Sequence, residues 1–271
     1  MPFKSLESRI FKYGVVDAFA DRPFSGNPAA VVMGDGTLIE SEMQQIAAEF
    51  NLSETAFLTP TDVGHEFGLR WFTPTSEVKL CGHATLAAAV YLADVAGVIS
   101  PTIGFDTLSG RLVSHRETNG ISLDFPATAI TPFEGRVDWK SILGFFPLEV
   151  WAAGEDILVV FSDHKDILGI VPQLSKIAEL NCRGVIVTAP GLAPFTCISR
   201  MFAPRLGIAE DPVTGSAHCA LAVYWQKRLG ISSIKGFQAS ARTGQMDARH
   251  SGDRVELTGT AHLIAKGDLF L

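Results

Sequence analysis

Three short stretches hold residues that could do chemistry: NLSETAFL at 51–58, CGHAT at 81–85 and EDPVTGS at 210–216. Glu54, in the first, is flanked by Leu52, Ala56 and Phe57 near a strand start; an acid so placed can serve as a general base toward a carbon-bound proton. The residue alone leaves a second reading standing, because a lone Glu in a loop is more often a solvated or capping carboxylate. Cys81-Gly82-His83 and Thr214-Gly215-Ser216 each open an alanine-rich helical stretch. The first N–H groups of a helix have no internal partner and carry the positive end of its dipole, so such a start can hold a carboxylate. Glycine at 82 and 215 permits close backbone approach. The alternative is that Cys, Thr or Ser caps a buried helix there.

The elements that must position these residues are written twice. CGHATLAAAVYL (81–92) and TGSAHCALAVYW (214–225) share Gly, three Ala, Val and Tyr in register, 133 residues apart. Upstream, AEFNLSETAFLTP meets AELNCRGVIVTAP and RWFTP meets RMFAP; downstream, GFDTLSGRL meets GFQASARTGQM and ISLDFPA meets VELTGTA. GNPAAVVM has a weaker echo in GEDILVVF. The shared order implies two homologous halves joined near residues 127–150.

Runs such as AAVVM, TAFLTP, LRWFTP, ISLDFP, ILVVF, GVIVTAP and CISRMFAP predict strands. SEMQQIAAEF and VPQLSKIAEL predict amphipathic helices. The alanine-rich helix of each half is apolar nearly all round, so it must be enclosed by its own domain. The fold expected is α/β: two pseudo-symmetric domains, each a curled mixed sheet or barrel around a central buried helix, meeting across a cleft. Residues 1–127 form the first, with the last strand at about 262–271 available to complete it, and 128–261 form the second. A small carboxylate held between the two helix starts would be gripped by backbone amides without any Arg.

Composition bounds the function. The chain has 271 residues, 47% hydrophobic and 19% charged, with a formal net charge of -7. No basic cluster exceeds a pair, which argues against nucleic acid. MPFKSLESRIFKYG has no apolar leader, and the longest apolar stretch, Ala84 to Ala93, is too short for a membrane span. Four cysteines without ligand-like spacing fit reduced thiols in the cytoplasm. Neither a nucleotide fingerprint nor a metal motif is present, so no cofactor and no metal are expected.

The set GNPAAVV, NLSETAFL, RWFTPTSEVKLCGHAT and EDPVTGSAHC resembles the PhzF family of phenazine-biosynthesis isomerases. That family is itself similar in fold to diaminopimelate epimerase, a cofactor-independent enzyme of two pseudo-symmetric domains. The motifs run in order from about residue 15 to residue 250. The resemblance implies Glu54, His83 and Asp211 as catalytic residues, and Gly82, Gly215 and Ser216 as binders of a small carboxylic acid. It also implies a homodimer. In the epimerase relatives a cysteine from each half faces the substrate; here Cys81 precedes Gly82, but Thr214 precedes Gly215. Cys219 and His218 lie deeper in the second helix and read as core residues. Glu54 has Gly184 as its repeat partner. One base without an opposing thiol implies that Glu54 removes a carbon-bound proton and returns it on the same face, shifting a double bond. Two rivals stand beside this: an epimerase, racemase or dehydratase built on Cys81, and a small-acid binding protein that does no chemistry.

Overall fold

The structure, a computed structural model, describes residues 9–271; residues 1–8, read above for an apolar leader, lie outside the described residues. Two compact units emerge. The first comprises residues up to Ala18, Pro28–Ile121 and Ala261–Leu271, and the second Phe19–Asn27 and Ser122–Thr260.

In chain order the first unit contains β1 (Ile10–Ala18), β2 (Asn27–Met33, whose first residue falls in the second unit), α1 (Glu40–Phe50) and β3 (Glu54–Pro60). It continues with β4 (Glu66–Phe72), β5 (Glu77–Val78), α2 (Gly82–Asp94), β6 (Thr102–Thr107) and β7 (Gly110–Glu117). β1 pairs with β2, β2 runs parallel to β3, β3 antiparallel to β4, β4 parallel to β6, and β6 antiparallel to β7. A parallel pair needs a crossover, and here the crossovers are α1 and α2.

The amphipathic α1 sets Met43, Ile46 and Ala47 against Phe11, Val32, Phe57 and Phe72. The Glu42 carboxylate accepts the Ile39 N–H at its start, and Asn51 ends it in the left-handed region at φ 50, which Asn tolerates better than most residues. That turn delivers Glu54 as the first residue of β3. By contrast, α2 is buried continuously from His83 to Leu92, as its all-round apolar surface demands. It packs on β1 and β3, and at Gly14 the approach is so close that a Cβ would lie 2.8 Å from the Tyr91 ring.

The second unit begins with β8 (Gly120–Pro126), which crosses from the first, and β9 (Ile130–Pro132), α3 (Trp139–Leu143), β10 (Glu149–Ala153) and β11 (Asp156–Val160). Then come α4 (His164–Gly169), α5 (Leu174–Glu179), β12 (Val185–Pro190), β13 (Cys197–Ala203), β14 (Ile208–Asp211) and α6 (Gly215–Leu229). β15 (Ser233–Gln238), β16 (Gly244–Ser251) and β17 (Arg254–Gly259) complete it. β11 runs parallel to β12, β12 antiparallel to β13, β13 parallel to β15, and β15 antiparallel to β16. Each unit thus shows one succession of parallel, antiparallel, parallel and antiparallel pairs.

The helix expected over VPQLSKIAEL is confined to α5, because Pro172 holds Val171 away from helical geometry. Three short helices do the work of α1 here: Trp139, Ile142, Ile167 and Ile177 pack with Val159 and Val187. α6 lies against β15, β16 and β17. The last strand, β18 (Ala261–Phe270), returns to the first unit and pairs antiparallel with β1 along its length. Among the described residues no helix is long and apolar enough to cross a membrane.

Candidate active site

In the first unit the turn into β3 and the start of α2 bring two of the expected residues together. Glu54 Oε2 lies 3.1 Å from His83 Nε2, and across the ring His83 Nδ1 lies 3.5 Å from Cys81 Sγ. The three side chains form a series: carboxylate, imidazole, thiol. The contact is close enough for an ion pair, and both atoms are buried with no other partner among the described residues. Buried polar atoms with an incomplete set of partners are costly, and a native protein keeps them where a ligand or a reaction uses them.

Burial, and after it the charge of Glu54, pushes the Cys81 thiol above its ordinary range, so at neutral pH the sulfur keeps its proton. Burial works against a charged His83, but the neighbouring Cys81 and Glu54 outweigh it and hold His83 well above the ordinary histidine range. With the sulfur protonated, the Glu54 carboxylate is the neighbour that sustains that charge. Cys81, extended at φ -145, makes no side-chain cap, so the capping alternative does not describe this helix start. The trio also offers three ligand atoms within 4.8 Å of one another, a donor set able to hold a divalent cation. Yet His83 directs its two nitrogens at different partners, which suits handing a proton along the series.

In the second unit Asp211 ends β14. Its Oδ1 accepts from Asn27 Nδ2 at 2.9 Å and its Oδ2 from the Thr214 hydroxyl. Asn27 also donates to the Val213 carbonyl at 2.9 Å. Gln238 locks the same turn: Nε2 donates to the Asp211 carbonyl at 2.8 Å and to Thr214 Oγ1 at 3.1 Å, while Oε1 accepts the Thr214 N–H at 2.9 Å. Thr214, at the station Cys81 occupies in the first unit, commits its hydroxyl to Asp211 and does not cap α6. Gly215 and Ser216 follow as the first helical residues.

The second helix start is not left to amides alone: Arg183 Nη2 donates to Ser216 Oγ at 2.8 Å. The guanidinium is itself anchored on the buried Asp156, by Nε at 2.9 Å and by Nη2. His218 is fully buried, donates through Nδ1 to the Thr214 carbonyl at 2.8 Å, and is pulled by burial down to about 4. Cys219 is buried, which pushes its thiol up to about 12. Both are core residues, as expected.

Sequence reasoning missed Arg183, Asp156, Gln238 and the tie from Asn27 to Asp211. Asn27 stood in a quoted motif, GNPAAVV, but its partner is 184 residues away. No spacing rule joins them.

The architecture belongs to the epimerase-like class. A hydroxyproline epimerase structure from Agrobacterium vitis superposes over 100% of this chain and 94% of that one with a TM-score of 0.61 at 10% identity, a likeness of fold alone. Within that class the chain belongs to the PhzC-PhzF family, described as phenazine biosynthesis-like protein, which matches residues 16–267. A PhzF-family crystal structure from Enterococcus faecalis has a TM-score of 0.92 and 40% identity, covering 97% of this chain and 100% of that one. An uncharacterized isomerase of Pseudomonas aeruginosa is 44% identical over 256 residues, 94% of this chain and 97% of the relative. The chain is an isomerase of this family.

Proposed function

We propose that the chain is a cofactor-independent isomerase in which Glu54 removes a carbon-bound proton from a small carboxylic acid and redelivers it on the same face. The observation that carries this reading is the buried pair of Glu54 Oε2 and His83 Nε2, 3.1 Å apart and with no other partner. Glu54 takes the proton; the charged His83 polarises the group that gains electron density; the N–H groups at Gly82, Gly215 and Ser216 and the Ser216 hydroxyl receive the carboxylate. Asp211 keeps the Thr214–Gly215 turn in place and, with His83, binds a substrate hydroxyl or amino group.

Same-face transfer is supported by the lack of a base at the positions where the repeat and the relatives' thiol scheme would put one. At Gly184, the repeat partner of Glu54, a Cβ would lie 2.4 Å from Met201 Cε and 2.8 Å from the Phe202 carbonyl oxygen, so no acid fits. Cys81 and Cys219 are held as thiols, and the Thr214 hydroxyl is committed to Asp211. A double-bond shift needs one base, whereas inversion by the relatives' scheme needs two.

The test is solvent exchange over a panel of hydroxy and amino acids in deuterated water. Glu54→Gln lowers exchange by roughly 10²-fold or more while substrate binding and the folded state persist; Cys81→Ser changes it far less. If exchange survives in Glu54→Gln and vanishes in Cys81→Ser, a thiol mechanism replaces this one. A wild-type chain that binds acids and exchanges none is a binding protein. The cytoplasmic location expected from the sequence and the homodimer implied by the family resemblance belong to the same proposal; sedimentation reads the latter.

A further inference from the structure

We infer that Arg183, held by Asp156 and acting beside Ser216, is the specificity-determining residue that selects a carboxylate over its neutral amide; this rests on the reading of the chain as acting on a small acid. A guanidinium has five N–H donors and no acceptor. Nε and Nη2 of Arg183 are taken by the Asp156 carboxylate, and Nη2 also reaches Ser216 Oγ. Among the described residues nothing accepts from Nη1, and the side chain is 32% exposed. Two N–H groups therefore remain at an accessible edge. Because Ser216 Oγ accepts from Arg183, its own proton is directed elsewhere, and Ser216 is exposed. Two neighbouring groups thus present N–H and O–H donors side by side, the guanidinium without any acceptor of its own. An oxyanion matches that arrangement; a neutral amide, with its NH₂, matches it on one side only.

The anchoring is rigid. Asp156 is 5% exposed and opens β11; Arg183 stands two residues before Val185, where β12 begins beside β11 in parallel register. The Arg183 N–H adds a 2.7 Å bond to the Glu155 carbonyl. Because the buried Asp156 offsets the guanidinium charge, selection comes from the direction of the donors more than from a long-range field.

The two units place opposite chemistry at like stations. In the first, the residue opening β3, Glu54, meets the second residue of α2, His83. In the second, a residue just ahead of β12, Arg183, meets the second residue of α6, Ser216. One station moves a proton and the other holds the anion.

The experiment measures calorimetric binding and deuterium exchange for hydroxy and amino acids and for the primary amides of the same compounds. It uses the wild type, Arg183→Gln and Arg183→Lys. Wild type prefers acid over amide by at least about tenfold; Arg183→Gln removes most of that preference and raises KM for the acids about tenfold, with kcat falling by less. Arg183→Lys, which keeps the charge but loses the planar fork, falls between. A purely structural Arg183 would lower kcat and thermal stability together and leave the acid-to-amide ratio as it was. Since Arg183→Gln strands Asp156, the pair Arg183→Gln with Asp156→Asn provides a chain without the uncompensated charge. The inference is overturned if either variant keeps the wild-type preference, or if the wild type binds acids no better than amides. Should acids bind selectively through Arg183 while no proton exchanges, the Glu54 chemistry fails and the selection stands.

Discussion

His83 owes its charge in part to the Glu54 carboxylate beside it, and the dependence is measurable. His83 is held above its ordinary range. A group with a raised folded value contributes stability that is fully present below its unfolded value of about 6.5 and is lost as pH rises through the folded value. The stability difference between wild type and His83→Gln, read from denaturant midpoints, therefore narrows as pH climbs above about 6.5. A difference that widens with pH would place the charge elsewhere. Glu54 and His83 were singled out through the family resemblance, because an acid near a strand start reads by itself as a solvated or capping carboxylate and an imidazole at a helix start carries only a weak signal of its own. Arg183 was not, since NCRG carries no signature, and its use becomes visible only when β11 brings Asp156 beside it. Asp211 was legible as a polar residue near the second helix; its clamp of Asn27, Thr214 and Gln238 is a tertiary arrangement.

The elements follow local rules closely enough to carry a sharper prediction at β12. Gly184, just ahead of that strand, faces Met201 and the Phe202 carbonyl oxygen with no room for a methyl group. Gly184→Ala forces a shift of backbone on β13 and costs about 1–3 kcal/mol, seen as a lower denaturant midpoint with an unchanged slope. Retention of wild-type stability would mean that β13 yields freely. Apolar runs bounded by Gly, Pro or Asn became strands because both signals agree there. The tracts that escaped are short or polar: β5 has two residues, and β7 is largely exposed along its length, so neither shows an apolar pattern. VPQLSKIAEL shows the reverse failure, a sound helical period overruled at its start by one proline.

For the whole chain, acid is the weak side. Burial holds His218 neutral down to about 4, whereas the unfolded chain takes up that proton near 6.5. A depressed value gives stability that is present above pH 6.5 and lost as pH falls toward 4, at up to about 1.4 kcal/mol per pH unit. His218→Asn keeps a donor toward the Thr214 carbonyl and flattens that slope, at the expense of a small cavity. Denaturation followed from pH 7 to 4 checks it; an equal slope in both chains would assign the acid sensitivity to other groups. The order of pairing within the units was foreshadowed by the repeated motifs. The placing of Phe19–Asn27 was not, because it depends on bonds far along the chain. Ala20 donates to the Thr260 carbonyl at 3.0 Å, Gly26 to that of Thr243 at 2.7 Å, and Gln245 to that of Phe19 at 3.1 Å.

The seam between β1 and β18 closes with Arg9 and Leu271 exchanging backbone hydrogen bonds at 2.9 and 3.0 Å. On the ribosome this orders events in time. Residues 122–260 are all made before β18 exists, so the second unit has its full complement of strands while the first still waits for an edge. The nascent chain carries Glu54 and His83 throughout that interval in a unit whose sheet is missing a strand. Residues 261–271, which pair with β1 and pack on α2, are made after the rest of the first unit, so the helix that carries His83 gains one of its packing partners late.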